Sequence, residues 1–344
     1  MPFFLFEKNI MKKWHSKVGY SLTGLIIFIA LAYMGIGYFI YSTLAKADPG
    51  CSLDCDNTPS SYQDNSKKSD FPFEKYTVNY WESHQYVGGD VGIQIDAWWI
   101  PINSDGAGEA PVIILAHGLR SSKYDPDILL VAAILNQAGF NTLLFDQRDH
   151  GMSSIEDGKI SIGTKEYRDV IASVDWLVNT QSINPERIGV YGLSMGAGTA
   201  AIAFGLDDRI QSAILDSGYS DLNTIVEEEL KREGYPSWLS KGAIWSAFIF
   251  GNETLLEPSP KLAFLNHKDR PIFAIHGTSD TRVLPHNTSD MKILAAKYGT
   301  NLTIWLAENA IHAGVKFMYL EDFSNRVVEF FRSSLEGSLK DNQV

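Results

Sequence analysis

The sequence has 344 residues, 45% of them hydrophobic and 20% charged, with a formal net charge of -12. An acidic chain of ordinary globular composition is poorly suited to phosphate backbones, so nucleic acid is not expected as a partner. Two cysteines exclude a disulfide-framework protein, and 28 glycines without a period exclude collagen.

No charged side chain lies between Lys17 and Lys46. The run Val18–Leu44 is dominated by Leu, Ile, Phe, Tyr, Ala and Gly. About 20 apolar residues in helix cross the hydrocarbon core, so this run predicts one transmembrane helix over 18–44. Trp14 and Tyr20 at one end, with Tyr38 and Tyr41 at the other, suit the two interfaces. Lys8, Lys12, Lys13 and Lys17 precede the span, which predicts a cytoplasmic N-terminus over 1–17 and everything beyond Leu44 outside the cytoplasm. A cleavable signal peptide with Ala45-Lys46-Ala47 as its site is the rival, but the apolar run is about twice the usual h-region. Residues 1–47 carry five Lys and one Glu, which leaves 24 basic and 40 acidic side chains for the rest. The folded part is thus more acidic than the whole chain suggests.

Residues 45–72 are rich in Asp, Ser, Asn, Pro and Lys, a composition that predicts a flexible linker. Cys51 and Cys55 lie within it, either paired in an oxidising compartment or inert. From residue 73 to 344 the pattern becomes that of one folded domain. Candidate strands are Tyr76–Trp81, Ile93–Ile100, Val112–His117, Asn141–Asp146, Arg187–Leu193, Ser212–Asp216, Ile272–His276 and Asn301–Leu306. Candidate helices are Asp127–Gln137, Lys165–Asn179, Met195–Phe204, Asp221–Glu233, His286–Lys297 and Lys316–Ser334. From Val112 onward the strands are short, continuous and apolar, as in a parallel sheet covered on both faces. The alternation predicts an α/β domain.

Gly192-Leu193-Ser194-Met195-Gly196 follows an apolar strand and opens a small-residue helix. That is the strand–turn–helix setting in which G-x-S-x-G presents a serine nucleophile. A competing dinucleotide fingerprint, Gly196-Ala-Gly198-Thr-Ala-Ala201 with Asp216, falls mid-sheet and leaves the other features unexplained. Where this elbow is catalytic, the acid and the base follow the serine in that order. His312, between the last predicted strand and the last helix, is the candidate base; His267, His276 and His286 are weaker. Asp280, in the loop after Ile272–His276, is the candidate acid, with Asp216 as runner-up. His117-Gly118-Leu119 ends an earlier strand, and the backbone N–H groups of Leu119 and Met195 are the candidate oxyanion donors. His117 itself reads as structural.

These motifs, with Asp146-Gln-Arg148-Asp-His150-Gly151, resemble the α/β-hydrolase superfamily over about residues 74–335. The leader strands and the anchor look like its Bem46-like and dienelactone-hydrolase-like groups. The resemblance implies a mostly parallel eight-stranded sheet with helices on both faces and a small helical cap. It implies a serine hydrolase acting on ester or thioester bonds, with no cofactor and no metal. Asp149 stands where many relatives carry glycine, which puts the network of Arg148, Asp149 and His150 in doubt. The insertion 217–266 is the expected cap. Leu222, Ile225, Val226 and Leu230 share one helical face, and Trp238, Leu239, Ile244, Trp245, Phe248, Ile249 and Phe250 add apolar load. The load reads either as a cap over an acyl pocket facing a bilayer or as ordinary packing, and Glu227–Glu229 reads as a solvated face. A small-molecule or lipid ester is the expected substrate. The nearest rival is a peptidase with the same triad, although no segment large enough for a gating domain precedes the catalytic region. A catalytically silent binding module is the rival from another class.

Overall fold

Strand burial sets the architecture. In Val112–Ala116 (β3) every residue is buried, and alternate side chains serve opposite faces. Val112, Ile114 and Ala116 join one apolar core, while Ile113 and Leu115 join the other. The same two-sided burial holds in Asn141–Phe145 (β4), Ile188–Leu193 (β5) and Ile272–Gly277 (β7). The computed structural model describes residues 3–47, 49–50, 55–64, 71–102, 109–265 and 269–335, without the side chains of 3–19.

The sheet has eight strands, the others being Glu82–Val87 (β1), Gln94–Ile100 (β2), Ile210–Asp216 (β6) and Leu302–Ala307 (β8). Their order is β1-β2-β4-β3-β5-β6-β7-β8. β1 and β2 pair antiparallel, as do β2 and β4; all later pairs are parallel. After the long N-terminal helix α1 (Phe3–Leu44), the helices are α2 (Pro126–Gln137), α3 (Tyr167–Asn179), α4 (Met195–Leu206), α5 (Leu222–Arg232), α6 (Ser240–Gly251), α7 (His286–Tyr298), α8 (Val315–Met318) and α9 (Leu320–Leu335). α3, α4 and α7 cover one face of the sheet; α2 and α9 cover the other. This is the α/β-hydrolase fold.

Four expectations change. The first strand is not Tyr76–Trp81: Phe73–Lys75 is a short 3-10 turn, and pairing begins at Glu82. β1 is a half-exposed edge strand made mostly of polar residues, so tertiary pairing with Gln94–Trp99 and packing of Tyr86 on Trp176 define it, not its propensity. The last helix is broken at Tyr319 into α8 and α9. The apolar load of the cap forms a helix of its own, α6, which periodicity did not reveal because both faces are apolar.

The fourth concerns 45–72. The described residues there lie along the folded domain. Ala47 N–H donates to Gly158 O, Ile160 N–H donates to Ala45 O, and Ala47, Asn57 and Tyr62 are buried. Composition signals low intrinsic order but is silent on edges that a neighbouring loop satisfies. Cys55 is disulfide-bonded, and Cys51 lies outside the described residues. α1 contains one segment, Tyr20–Leu44, long and apolar enough to cross a membrane.

Candidate active site

Ser194 sits between β5 and α4 with φ 57° and ψ -117°. A non-glycine residue there is strained, and the surroundings hold it. Its N–H donates to Asp216 O across the strand end. The flanking glycines are sterically required. A Cβ on Gly192 would lie 2.2 Å from Gly196 O, and one on Gly196 would lie 2.2 Å from Ala116 O. The elbow therefore packs backbone-to-backbone on the end of β3.

His312 lies in the turn before α8, at the carboxyl edge of the sheet. Its Nε2 is 2.9 Å from Ser194 Oγ and its Nδ1 is 2.7 Å from Asp280 Oδ2. Burial alone would raise the Asp280 carboxyl, but hydrogen bonds from His276 and His312, and from the Arg282 N–H, hold it well below the usual carboxylate range. An ionised Asp280 accepts the Nδ1–H, so the bare Nε2 faces the serine hydroxyl. Asp280 Oδ1 accepts the N–H groups of Arg282 and Val283, which fixes the carboxylate plane.

The other candidates go elsewhere. His276 is buried, with Nε2 2.8 Å from Val283 O and 3.3 Å from Asp280 Oδ2, and Nδ1 3.0 Å from the Thr288 hydroxyl. It buttresses the Asp280 loop. His286 pairs with Glu228 and Asp290, and His267 lies outside the described residues. Asp216 accepts from Tyr191 Oη at 2.6 Å and from Ser217 Oγ at 3.0 Å, so it is not directed at His312. With Gly198 packed on the Tyr219 ring, the dinucleotide pattern has no open phosphate cradle.

The turn after β3 presses on the elbow: a Cβ on Gly118 would touch Leu193 O and Ser194 Cβ at 3.5 Å. His117 explains the shape of this turn. Its Nε2 accepts the Gln147 N–H at 3.1 Å, so Nδ1 carries the proton and donates to Gly118 O at 2.9 Å. Burial, with His150 beside it, pushes the His117 pKa well below its ordinary value and keeps it neutral. A peptide plane held at its carbonyl is held at its N–H. His117 thereby fixes the direction of the Leu119 N–H. Leu119 and Met195 both line the cleft at Ser194.

Arg148 is buried and grips Asp169 through Nε and Nη2, with Asp90 at 2.6 Å on Nη1. Asp149 has φ 62°, a conformation tolerated by Gly and by Asp or Asn. Its Oδ1 accepts the N–H groups of Glu156, Asp157 and Gly158, bonds that glycine could not make. The departure at this position thus stabilises the loop that receives residues 45–47.

The cleft over Ser194 is half-open to solvent and holds a cavity of about 100 Å³. Its lining is mainly aliphatic, with Glu229 and Arg282 as its charged members. Glu229 is thus not on a fully solvated face. Burial would raise its carboxyl, but the Arg232 guanidinium beside it lowers it. Sequence reasoning read His117 as structural but did not find the buried pair Lys123–Asp146 at 2.5 Å beneath the β4 loop. A lone lysine or histidine carries no signal of burial.

A family model for the prolyl oligopeptidase family matches residues 130–338, 209 of the 344. The chain belongs to the prolyl oligopeptidase family. Its elbow, with His312 and Asp280 in line, has the geometry that serine hydrolases use. A 31.7 kDa Escherichia coli protein encoded in the traX–finO intergenic region is 30% identical over 132 residues, 38% of this chain and 45% of that one. The Bacillus subtilis peptidase YuxL is 24% identical over 69% of this chain and 36% of its own. The matches thus span about half or less of these relatives. Among solved structures, a Pyrococcus furiosus esterase superposes with TM-score 0.58 at 26% identity, covering 74% of this chain and 91% of that one. A Pyrococcus horikoshii acylaminoacyl peptidase shares the fold, with TM-score 0.58 at 18% identity over 77% of this chain and 43% of its own.

Proposed function

We propose that this protein is a membrane-anchored esterase or thioesterase that cleaves acyl esters through Ser194, His312 and Asp280. The observation that carries the reading is the continuous chain from Asp280 Oδ2 through His312 to Ser194 Oγ, at 2.7 and 2.9 Å, opening on an aliphatic cleft. Ser194 Oγ attacks the acyl carbon while His312 Nε2 takes its proton. The Leu119 and Met195 N–H groups receive the oxyanion, each donor typically worth about 3–4 kcal/mol. His312 returns the proton to the leaving alcohol or thiol, and a water then repeats the cycle on the acyl-serine. Asp280 orients the ring and stabilises the imidazolium. No step calls for a metal or cofactor.

The anchor reading rests on the apolar length of α1 and the lysines before it. It puts the N-terminus in the cytoplasm and the catalytic domain outside. Protease protection of the domain in right-side-out vesicles would overturn that orientation. A peptidase is the second reading, favoured by the family and by the acylaminoacyl peptidase neighbour. Fluorophosphonate labelling of Ser194, with kcat/KM on acyl esters against aminoacyl and peptide amides, decides between them. We expect labelling that Ser194→Ala abolishes and a strong preference for esters. Preferred cleavage of the amides would favour the peptidase; no labelling would end the hydrolase mechanism.

A further inference from the structure

The cleft over Ser194 is not built by the catalytic domain alone. Ile40, Tyr41 and Leu44, in the last turns of α1, form part of its wall, which they share with Met195 and with Val226 and Leu230 of α5. Ile40 and Tyr41 are buried, whereas their neighbours Ile36 and Phe39 are exposed, so α1 has one face turned into the protein and one turned out.

This seating is specific. Arg120, the residue after the candidate oxyanion donor Leu119, donates from Nη2 to Leu44 O at 2.8 Å and from Nε to Lys46 O at 3.0 Å. It caps the carbonyl end of α1, where a cation is favoured. α6 packs alongside in parallel. A Cβ on Gly37 would lie 2.3 Å from Gly242 O, and Ser246 Oγ donates to Met34 O. Small residues at such a crossing allow the backbones to touch, as membrane helices do. The outer face of α6 carries Trp245, Phe248, Ile249 and Phe250, 54–61% exposed, and Phe250 meets Tyr38 edge-on. From Leu44 back to Tyr33, level with Trp238, α1 descends roughly 16 Å at 1.5 Å per residue. With α1 in a bilayer, α6 therefore stands in the outer leaflet and its apolar face meets lipid.

We propose that the anchor helix is a specificity-determining wall of the active site, and that the substrate is a long-chain acyl ester of a bilayer lipid. Its chain lies between α1 and α5 while the ester carbon reaches Ser194. This deepens, and rests on, the acyl-ester reading above. Insertion of α6 beside α1 brings the cleft down to the depth at which lipid esters sit, so the chain need not cross water.

The test uses the full chain in phosphatidylcholine nanodiscs, with butanoyl to hexadecanoyl fluorogenic esters and fluorophosphonate labelling to count folded sites. Leu44→Trp fills the wall and Leu44→Ala opens it. We expect Leu44→Trp to lower the long-chain to short-chain kcat/KM ratio at least about tenfold, because each excluded methylene is worth roughly fourfold. Leu44→Ala should move the optimum to longer chains, and it decides alone if the tryptophan variant does not label. Leu31→Trp, at an exposed position outside the cleft, should leave the ratio unchanged. A labelled, ester-active enzyme whose chain-length profile is the same in the Leu44 variants as in the wild type overturns this proposal alone. A wild type that cleaves no ester overturns the acyl-ester reading and this one with it.

Discussion

Asp280→Asn is the sharpest test of the proposed site. The substitution keeps size and shape, and the side-chain oxygen can still accept the Arg282 and Val283 N–H groups at 2.8 and 3.0 Å. It places an NH2 where Oδ2 now accepts from His312 at 2.7 Å. The ring must then turn its bare nitrogen toward position 280 and its N–H toward Ser194. In that tautomer it cannot take the serine proton. The same change in an unrelated triad costs about 10⁴-fold, or about 5.5 kcal/mol of barrier at 1.36 kcal/mol per decade. The assay is kcat/KM on a short ester, with urea unfolding as control. The carboxyl is depressed in the fold, so its stabilisation is present above the unfolded value, roughly 3.9, and is lost as pH falls through the lower folded value. Asp280→Asn therefore loses some stability at neutral pH and less at low pH, while activity falls at every pH. A variant within tenfold of wild type would falsify the assignment of Asp280 and return attention to Asp216.

Gly196→Ala would force its Cβ to within 2.2 Å of Ala116 O, so the elbow or the end of β3 must shift. A displacement of that kind should cost about 1–3 kcal/mol in denaturant unfolding and on the order of 100-fold in kcat; normal turnover would show that the elbow is not tightly packed. Arg148→Leu leaves Asp169 buried without its cation, and we expect a loss of about 3–5 kcal/mol by chemical denaturation; a change under 1 kcal/mol, about the value of an exposed pair, would refute the buried-pair argument. For His286, burial lowers the pKa, but Glu228 and Asp290 raise it by more, so its stabilisation is present below about 6.5 and lost as pH rises through the higher folded value. The ring is half-exposed, so the effect is under about 1 kcal/mol. His286→Gln should flatten the stability profile near neutral pH and leave ester turnover unchanged; a collapse of turnover would mean that His286, not His312, is the base.

The elbow at Ser194 was legible because it is a local device: strand, two glycines and helix start within a few residues. The convergence of Asp280 and His312 on Ser194 was legible for a related reason, since chain order fixes which strand end each loop leaves. The central strands could be read because residues buried on two faces form unbroken apolar runs. β1 could not, because an edge strand is defined by its partner, and Glu82–Gln85 carry no apolar run of their own.

Sequence alone also determined that 18–44 is apolar enough to span a lipid core, since that depends only on composition and length. Only the tertiary structure decided what that helix touches. Ile40 and Phe39 are equally apolar in sequence; one is buried against the cleft and the other is exposed. The close approach of Gly37 to Gly242 and the capping of Leu44 by Arg120 join positions 205 and 76 residues apart. Periodicity reports which face of a helix is apolar. It cannot report whether lipid, a cap helix or a substrate chain lies against it, because all three are satisfied by the same side chains.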